Sequence, residues 1–418
     1  MQVWDAIILG AGCAGLTLVN ELIGRGEGRL SILLLEERSE YTNDRTWCFW
    51  NTLNHRFENA VSYRWSGWNV HYAGEVVHCR GAYQYQYLRA EHFYKLALAP
   101  VYASSKTILR LGEQVRTVQE EEDLVRIQTH QGTHVGRYVI DTRPMDQQNR
   151  KARYPDVHWL QHFMGWKVKT EHACFQTKQV TLMDFEGRKN ATEILGVSDK
   201  ETDNALPGIP FIYLLPFSPT EALVESTWFG PKVLPKSVYR EQLQRYLQEK
   251  EVGNYEIIEQ EYGVLPMSTL PTTTQPTRRI RHLGLAGGAA RPSTGYAFLA
   301  IQRQAQRLAD QLLKGDWGNF PDYYSTQSRL LDATFLRVLQ QNPQRGPELF
   351  WRLFRYANPD ALVRFLADTA SLKDLWEVTT CLPSGIFLKQ SLFPNFSQKK
   401  EMETTQTVSY THLTLPTT

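Results

Sequence analysis

The sequence has few cysteines, no long apolar run and almost no excess of charge of either sign. Its five cysteines are an odd number without the spacing of a metal site, which favours reduced thiols in a cytosolic protein. No stretch approaches the roughly 18 apolar residues that a membrane-spanning helix needs. The formal net charge of +2 argues against a nucleic-acid-binding protein and against an acidic substrate.

The chain does have enough length and enough apolar side chains for a large core. Its 418 residues allow two or more domains, and 42% apolar with 22% charged residues is typical of a soluble globular protein. Aromatic residues reach 12%, which suits a bulky apolar ligand, although most aromatic side chains fill cores. The opening "MQVWDAIILG" enters a strand without a basic flank or a cleavage site. We therefore expect no signal or transit peptide and a cytoplasmic location.

A glycine-rich turn between an apolar strand and a helix predicts a dinucleotide site near the start of the chain. In "GAGCAG", Gly10, Gly12 and Gly15 permit a tight turn, close approach of a pyrophosphate and close helix packing. The next apolar strand ends in Glu36, whose carboxylate can accept hydrogen bonds from ribose hydroxyls. An acid at this place favours FAD or NAD over NADP. A purely structural glycine turn is the alternative.

A second glycine-rich segment, "GLAGGAARPSTGYAF", lies some 270 residues later and also precedes a helix. Flavoproteins of the two-domain type bring such a segment back to the flavin, with the helix N-terminus facing the ring. Gly288, Pro292 and Gly295 are the candidate cofactor contacts here, and Ser293 or Thr294 is expected to cap the helix. An ordinary strand, turn and helix without a cofactor role is the alternative.

The remaining pattern predicts an α/β protein with a two-domain Rossmann-type FAD-binding fold, an antiparallel second domain and C-terminal helices, similar to hydroxylases and geranylgeranyl reductases. The strand "RYVIDT", which ends in Asp141, fits a return to the cofactor, or simply a strand end with a turn. The predicted parts are an FAD-binding domain (1–60, 106–150 and 277–318), a substrate domain (61–105 and 151–276), a helical region (319–395) and a disordered or non-native tail (396–418).

Several blocks of the sequence resemble the lycopene β-cyclases of the bacterial flavoprotein type. These blocks are "NDRTWCFW" (43–50), "VIDTRP", "TLMDF" (181–185), "LVEST" (223–227), "YGVLPMSTLP" (262–271) and "GGAARPSTGYAF". The helical tail is also similar to that family. The resemblance covers about residues 3–393, and "DRTWCFW" and "RPSTGYAF" are its specific parts.

The resemblance implies a reaction, its cofactors and a location. Members of the family convert linear lycopene to β-carotene, usually through the one-ringed γ-carotene, so lycopene or another acyclic carotenoid is the implied partner. No atoms or electrons are gained, yet the family requires FAD in its reduced form, with NAD(P)H as the electron donor. Because lycopene resides in membrane, we expect peripheral attachment to a membrane surface, with the C-terminal helices as the docking face or as ordinary core helices.

The resemblance also supplies candidate site residues. Glu225, in "LVEST", falls on the acidic motif of the family and is the predicted proton donor to the terminal double bond. Asp184, in "LMDF", is the second candidate, to donate the proton, to accept the final one or to orient Glu225. Trp47 and Trp228 are candidate substrate contacts through cation–π interaction, and Arg45 is a candidate cofactor contact. A solvated strand residue, a turn cap, core packing and a surface ion pair are the respective alternatives.

Two other functions remain open from the sequence. The chain could be an FAD-dependent isoprenoid reductase or monooxygenase, in which Glu225 is structural, or a non-catalytic carotenoid carrier that binds flavin. The mass of the product separates these hypotheses, because cyclisation leaves it unchanged whereas reduction or oxygenation alters it. The sequence does not decide between one ring and two, nor does it identify the acyclic substrate, the oligomeric state or the electron donor.

Overall fold

The computed structural model describes residues 2–26, 28–143, 158–196, 206–268, 277–316 and 325–392, and the tail predicted at 396–418 lies outside them. Its strands are β1 (Val3–Leu9), β2 (Ile32–Leu35), β3 (Thr46–Trp50), β4 (Val61–Tyr72), β5 (Glu75–Arg89), β6 (Thr107–Arg110), β7 (Val115–Glu120), β8 (Val125–Thr129), β9 (Thr133–Asp141), β10 (His158–Thr170), β11 (Gln179–Asp184), β12 (Ile209–Ser218), β13 (Glu221–Gly230), β14 (Tyr255–Ser268) and β15 (Ile280–His282). Its α-helices are α1 (Cys13–Gly26), α2 (Ala90–Ala103), α3 (Arg188–Ile194), α4 (Lys236–Glu249), α5 (Phe298–Lys314), α6 (Thr326–Gln341), α7 (Gly346–Tyr356), α8 (Pro359–Leu366), α9 (Leu372–Thr380) and α10 (Ser384–Leu392).

The first sheet is the predicted Rossmann-type sheet. Its strands lie in the order β6-β2-β1-β9-β8-β7, with β15 beside β9. The strands β6, β2, β1, β9 and β15 run parallel to one another. On the other side of β9, β8 pairs with it antiparallel and β7 pairs with β8 antiparallel, which gives a meander. Parallel strands are buried on both faces, which is why β1 and β2 are almost wholly apolar. The helices α1, α2 and α5 cover one face and share an apolar core with it.

The second sheet is the predicted antiparallel sheet and has eight strands in the order β14-β10-β13-β12-β11-β4-β5-β3. All neighbouring pairs are antiparallel except β11 and β4. Side chains alternate between the two faces of each strand. The helices α3 and α4 cover one face of β10, β12 and β13, with Val238, Leu243 and Leu247 in their shared core. The opposite face looks towards the first sheet and the C-terminal helices.

The predicted C-terminal helical region consists of the helices α6 to α10 among the described residues. The helix α7 packs on β4 and β5 through an apolar face that includes Leu349, Leu353 and Phe354. A capping box between Ser371 and Asp374 fixes the start of α9. No helix within the described residues has both the length and the apolar character that crossing a membrane requires.

Two local predictions need correction. The helix α5 begins at Phe298, and its N-cap is Ala297 without a side-chain hydrogen bond, so neither Ser293 nor Thr294 caps it. The glycine-rich turn continues past both residues, and the Ser293 hydroxyl instead donates to a carboxylate oxygen of Asp332 at 2.7 Å. The predicted boundaries also divide the elements differently. The strand β3, predicted with the cofactor domain, pairs with β5 of the second sheet, and α2, predicted with the substrate domain, packs on α1.

Candidate active site

A cavity of about 1280 Å³ lies between the two sheets and extends to the C-terminal helices. At one end it is lined by the glycine-rich turn after β1 and by the ends of β2 and β9; in the middle by β10, β12, β13 and β14; and at the far end by α6 to α10. Pockets for one drug-sized ligand are about 300–1,000 Å³. The cavity therefore has room for a second ligand beside a cofactor.

The turn between β1 and α1 has the backbone of a dinucleotide-binding loop. Gly10 adopts a φ of 89°, a left-handed conformation that other residues avoid. A Cβ at Gly15 would lie 2.1 Å from the carbonyl oxygen of Gly10, so only glycine lets the helix approach the turn this closely. At Gly12 the nearest atom to such a Cβ is 4.0 Å away, and Gly12 lines the cavity. The N-terminus of α1 thus presents N–H groups to an open space that suits a pyrophosphate.

Glu36 lies directly after β2 and is buried at the cavity wall. One of its carboxylate oxygens accepts a hydrogen bond from the backbone N–H of Ala11 at 2.6 Å, and the other accepts from the N–H of Arg38 at 3.1 Å. The side chain therefore joins the glycine-rich turn to the second strand and keeps acceptor capacity at the cavity. This arrangement fits the predicted contact with ribose hydroxyls.

Asp141 and Arg45 both line the cavity near this turn. Asp141 ends β9 and accepts hydrogen bonds from the Arg143 guanidinium at 2.7 and 2.9 Å. Arg45 pairs with Asp44 at 2.8 Å, and this ion pair holds the pKa of Asp44 below its usual range against the opposing effect of burial. The structure thus brings two ion pairs, Arg143–Asp141 and Arg45–Asp44, to the end of the cavity beside the glycine-rich turn.

The late glycine-rich segment reaches the cavity at one of its three predicted contacts. Gly295, with a φ of 70°, lines the cavity, whereas Gly288 and Pro292 do not. A Cβ at Gly295 would lie 3.3 Å from the amide oxygen of Gln161, a buried atom without a hydrogen-bond partner among the described residues. An unpaired buried acceptor in a cavity wall is costly unless a ligand satisfies it. Gln161 and Gly295 therefore fit a flat polar ligand such as a flavin ring.

Glu225 lies in the middle of the cavity wall, as the sequence predicts, and it faces a second acid. In the register of the sheet, Gly165 of β10 is paired with Glu225 of β13 on one side and with Glu261 of β14 on the other. Residues in one such row point to the same face. A Cβ at Gly165 would lie 2.9 Å from the Cγ atoms of both glutamates. The glycine therefore leaves the space in which the two carboxyl groups meet.

The surroundings of the two glutamates raise the pKa of both carboxyl groups. Glu225 touches open space inside the cavity but is enclosed by protein. Desolvation raises its pKa well above the ordinary value, and the charge of Glu261 raises it further. Desolvation also raises the pKa of Glu261, while hydrogen bonds from Glu225 and Thr46 and the charge of Arg89 oppose that rise. Because hydrogen bonds and a positive charge oppose the rise only at Glu261, the arrangement favours Glu225 as the member of the pair that holds a proton and donates it in a hydrogen bond to Glu261.

Aromatic side chains form most of the wall around this pair. Trp47 lines the cavity and packs against Phe93 and Phe298 at 5.3 and 5.6 Å between ring centroids. The hydroxyl of Tyr213, which is paired with Glu225 across the sheet, donates to the hydroxyl of Tyr85 at 3.0 Å. The hydroxyl groups of Tyr213 and Tyr85 are thus hydrogen-bonded to one another within the cavity wall.

The other two predicted residues of this region, Asp184 and Trp228, lie on the opposite face of the sheet. Asp184 is fully buried, accepts a hydrogen bond from the Tyr246 hydroxyl at 3.1 Å and lies 3.4 Å from Lys250. Trp228 is also fully buried and donates to the amide oxygen of Gln242 at 3.0 Å. Neither lines the cavity. Strand alternation turns both towards α4, so this geometry argues against the catalytic and substrate roles predicted for them.

Glu261 and Gly165 are not among the site residues predicted from the sequence. Glu261 immediately precedes the block "YGVLPMSTLP", and an acid at that place in a strand was the available signal. Its meaning depends on the pairing of β10 with both β13 and β14, which sequence spacing does not reveal.

The class of protein follows from the fold. A geranylgeranyl bacteriochlorophyll reductase-like protein from Thermoplasma acidophilum is 12% identical, with a TM-score of 0.57, over 93% of this chain and 99% of that chain. A flavoprotein/dehydrogenase from Cytophaga hutchinsonii is 14% identical, with a TM-score of 0.57, over 91% and 99%. The halogenase PltM in complex with phloroglucinol and FAD is 12% identical, with a TM-score of 0.56, over 90% and 85%. These likenesses define the two-domain Rossmann-type fold of flavin-dependent enzymes.

The family is more specific than the fold. Residues 5–391 match the sequence profile described as "Lycopene cyclase protein", and the chain belongs to this family. The resemblance noted in the sequence motifs is thereby confirmed. No curated protein sequence matches the chain.

Proposed function

We propose that this protein closes the linear ends of lycopene into β-ionone rings, giving γ-carotene and then β-carotene without net oxidation or reduction. The observation that carries the proposal is Glu225, a carboxyl group that faces an enclosed, aromatic-walled cavity and that keeps its proton because desolvation raises its pKa. A hydrocarbon offers no polar handle, so ring closure has to begin with proton transfer to carbon. Membership of the lycopene cyclase family supports the substrate class.

FAD is the proposed cofactor at the glycine-rich end of the cavity. Gly10, Gly12 and the first turn of α1 would hold the pyrophosphate, Glu36 would bind the ribose, and Gln161 beside Gly295 would meet the ring. When bound in reduced, anionic form, the flavin supplies negative charge that stabilises a cation without hydride transfer. NAD(P)H is the proposed source of its electrons.

The residues of this chain would carry out a balanced proton transfer. The terminal double bond takes the proton of Glu225, a C–H bond forms and a tertiary cation remains. The π electrons of a neighbouring double bond then form the ring C–C bond and move the cation into the ring. A ring carbon next to the cation returns a proton to the carboxylate, and its C–H electrons form the ring double bond. General acid catalysis of this kind contributes about 10²- to 10⁴-fold.

The aromatic wall would stabilise the cation while excluding water. Cation–π contact with a ring such as that of Trp47 is worth about 2 kcal/mol when the site is desolvated. Tyr85 and Tyr213 add ring surface, and their hydroxyls bond to one another. A wall that keeps water from the cation would favour ring closure over addition of a hydroxyl group.

A peripheral membrane contact is proposed at the far end of the cavity, on the cytoplasmic side. Leu372 and Trp376 of α9 are 77% and 74% exposed, and Leu388 of α10 is 58% exposed. The same two helices line the cavity through Val378 and Phe387. An apolar surface beside this end of the cavity would allow a hydrocarbon to pass from lipid to protein without crossing water.

Vesicle sedimentation tests this surface with a matched pair of variants. Trp376→Glu is expected to abolish binding to phospholipid vesicles. Tyr102→Glu changes an aromatic residue of similar exposure on α2, a helix that does not line the cavity, and should leave binding unchanged. Equal loss of binding in both variants would contradict the proposed surface.

Pigment analysis of lycopene-accumulating cells that express the chain tests the function itself. The expected product is bicyclic β-carotene with the mass of lycopene, and Glu225→Gln should leave the substrate linear. A product two or more mass units heavier would instead indicate the isoprenoid reductase or monooxygenase. Unchanged lycopene bound to a flavin-loaded protein would indicate a carrier.

A further inference from the structure

Two acidic side chains meet inside the cavity although nothing in their strands requires it. Glu225 and Glu261 belong to strands separated by β10, so their backbones lie about 10 Å apart, two strand spacings. Their side chains nevertheless converge over Gly165, whose missing side chain provides the space. Glu261 lines the cavity, and one of its carboxylate oxygens is buried without a hydrogen-bond partner among the described residues.

We propose that Glu261 is a second functional carboxylate of the cyclisation, which accepts a hydrogen bond from protonated Glu225 across Gly165 and drives the ring proton back on to Glu225 after closure. The inference rests on the proposed function and names a residue that the sequence motifs do not assign. Glu261 acts through Glu225, so it is a positioning residue.

The direction of the hydrogen bond follows from what surrounds each carboxyl group. Thr46 and Arg89 lie on the side of Glu261, where a hydroxyl donor and a positive charge stabilise an ionised carboxylate. At Glu225, among the described residues, desolvation and the charge of Glu261 dominate, and both disfavour an ionised carboxylate. The proton therefore belongs to Glu225. The titratable and charged groups that face the pair are Tyr213 from β12, Cys48 from β3, Tyr87 and Arg89 from β5, and Glu259 from β14.

The pair explains how one site can both give and reclaim a proton. When Glu225 gives its proton to the substrate, two carboxylates remain side by side, and a cation forms next to them. Like charges in an enclosed site repel strongly, so the pair cannot stay doubly ionised once the cation loses a proton. The ring proton therefore returns to Glu225. The pair holds one proton before and after the reaction, and no other reactant is needed.

Glu261→Gln separates this role from simple packing, because it keeps the shape of the side chain and removes only its charge. We expect kcat for ring formation to fall about 10²-fold with KM changed less than threefold. The loss of activity at high pH should move to lower pH, since Glu225 loses the neighbour that keeps it protonated. Glu261→Asp keeps the charge and should lose activity at the same high pH as the wild type. Glu256→Gln, an exposed position on the same strand, is the matched control and should change neither quantity.

Gly165→Ala tests the same contact by adding a methyl group between the two glutamate side chains. Its Cβ would force the two carboxyl groups apart, so the pH limb should move in the same direction as in Glu261→Gln. Combining the two substitutions should add little to either alone, because both remove one interaction. If Glu261→Gln keeps the kcat and the pH limb of the wild type, the inference is wrong.

An infrared titration gives a readout that does not depend on activity. The carbonyl stretch of a protonated, deuterium-exchangeable carboxyl should be present at neutral pH, absent in Glu225→Gln, and titrate at lower pH in Glu261→Gln. The same band in Glu256→Gln should match the wild type. A wild-type chain that forms no ring but shows this titration would overturn the proposed function and leave the paired carboxyls standing. Ring formation by the wild type together with an unshifted titration in Glu261→Gln would contradict the paired carboxyls and support the proposed function.

Discussion

The two faces of the second sheet each bury a carboxylate, and the partners of the two groups differ. On the face covered by α4, Asp184 is surrounded by the Tyr246 hydroxyl, Lys250 and His71, all groups that satisfy a negative charge. On the cavity face, Glu225 meets Glu261, a group that opposes its charge. The two acids lie on different strands of the same sheet, β11 and β13, and the partners of each carboxyl group differ.

The comparison teaches that burial alone does not mark a proton donor. A buried carboxylate with donors and a cation remains charged and holds helices to a sheet. A buried carboxyl beside a like charge keeps a proton that it can give away. In the sequence both acids are catalytic candidates, because the partners that each carboxyl group meets come from other strands and helices.

The largest expected difference between the faces is in activity. Glu225→Gln should reduce ring formation by about 10²- to 10⁴-fold, because it removes the proton donor. Asp184→Asn, measured per mole of folded protein, should keep the rate within about threefold. Quantified carotenoid products from both purified variants check this. A folded Asp184→Asn variant that forms no rings would contradict the expected difference in activity between the two faces.

Stability should show the opposite order. Asp184→Asn removes the carboxylate that pairs with Lys250 and contacts His71, and it should lower the free energy of unfolding by about 1–3 kcal/mol. Glu225→Gln should leave it unchanged or raise it at neutral pH, since it removes a poorly compensated buried acid. Denaturant unfolding of both variants at pH 7 measures the two values. The comparison fails if Glu225→Gln is the less stable variant.

The pH dependence of stability sharpens the same contrast. The pKa of Glu225 is raised in the folded state, so between the unfolded value of about 4.3 and the folded pKa the folded protein holds more protons. Its contribution to stability is present below that window and is lost as pH rises, by about 1.4 kcal/mol per pH unit for one proton. Glu225→Gln should therefore gain stability relative to wild type as pH rises from 4.5 to 7. Parallel curves for the two proteins would refute the raised pKa.

The smallest expected effect concerns Trp228. Trp228→Phe loses the hydrogen bond to Gln242 and should cost about 1 kcal/mol of unfolding free energy while ring formation stays at the wild-type rate. Thermal unfolding and product assays on the same preparation test both parts. A marked change in product formation without a change in stability would return Trp228 to the substrate site.

The cofactor end was predictable because its signals are local. Gly10, Gly12, Gly15 and Glu36 occur at fixed spacing within one strand, turn, helix and strand, and the structure brings them together around one end of the cavity. The cavity wall around Glu225 was only half predictable. Glu225 lies in a motif that resembles the family, but its partner Glu261 is separated from it in sequence by a helix and two turns, and Asp184, which also lies in such a motif, does not line the cavity.

By itself, the sequence determined the class of fold, the glycine-rich turn and the family, and it identified one acid of the cavity wall, because the signals for these lie in short stretches of sequence. Only the tertiary structure decided which acids share a face and which side chains surround them. The reason is physical: a strand places alternate residues on opposite faces, and its neighbours in the sheet come from distant parts of the chain. The contact between Glu225 and Glu261 is made between strands, over Gly165, and is therefore not visible in the sequence of any one strand.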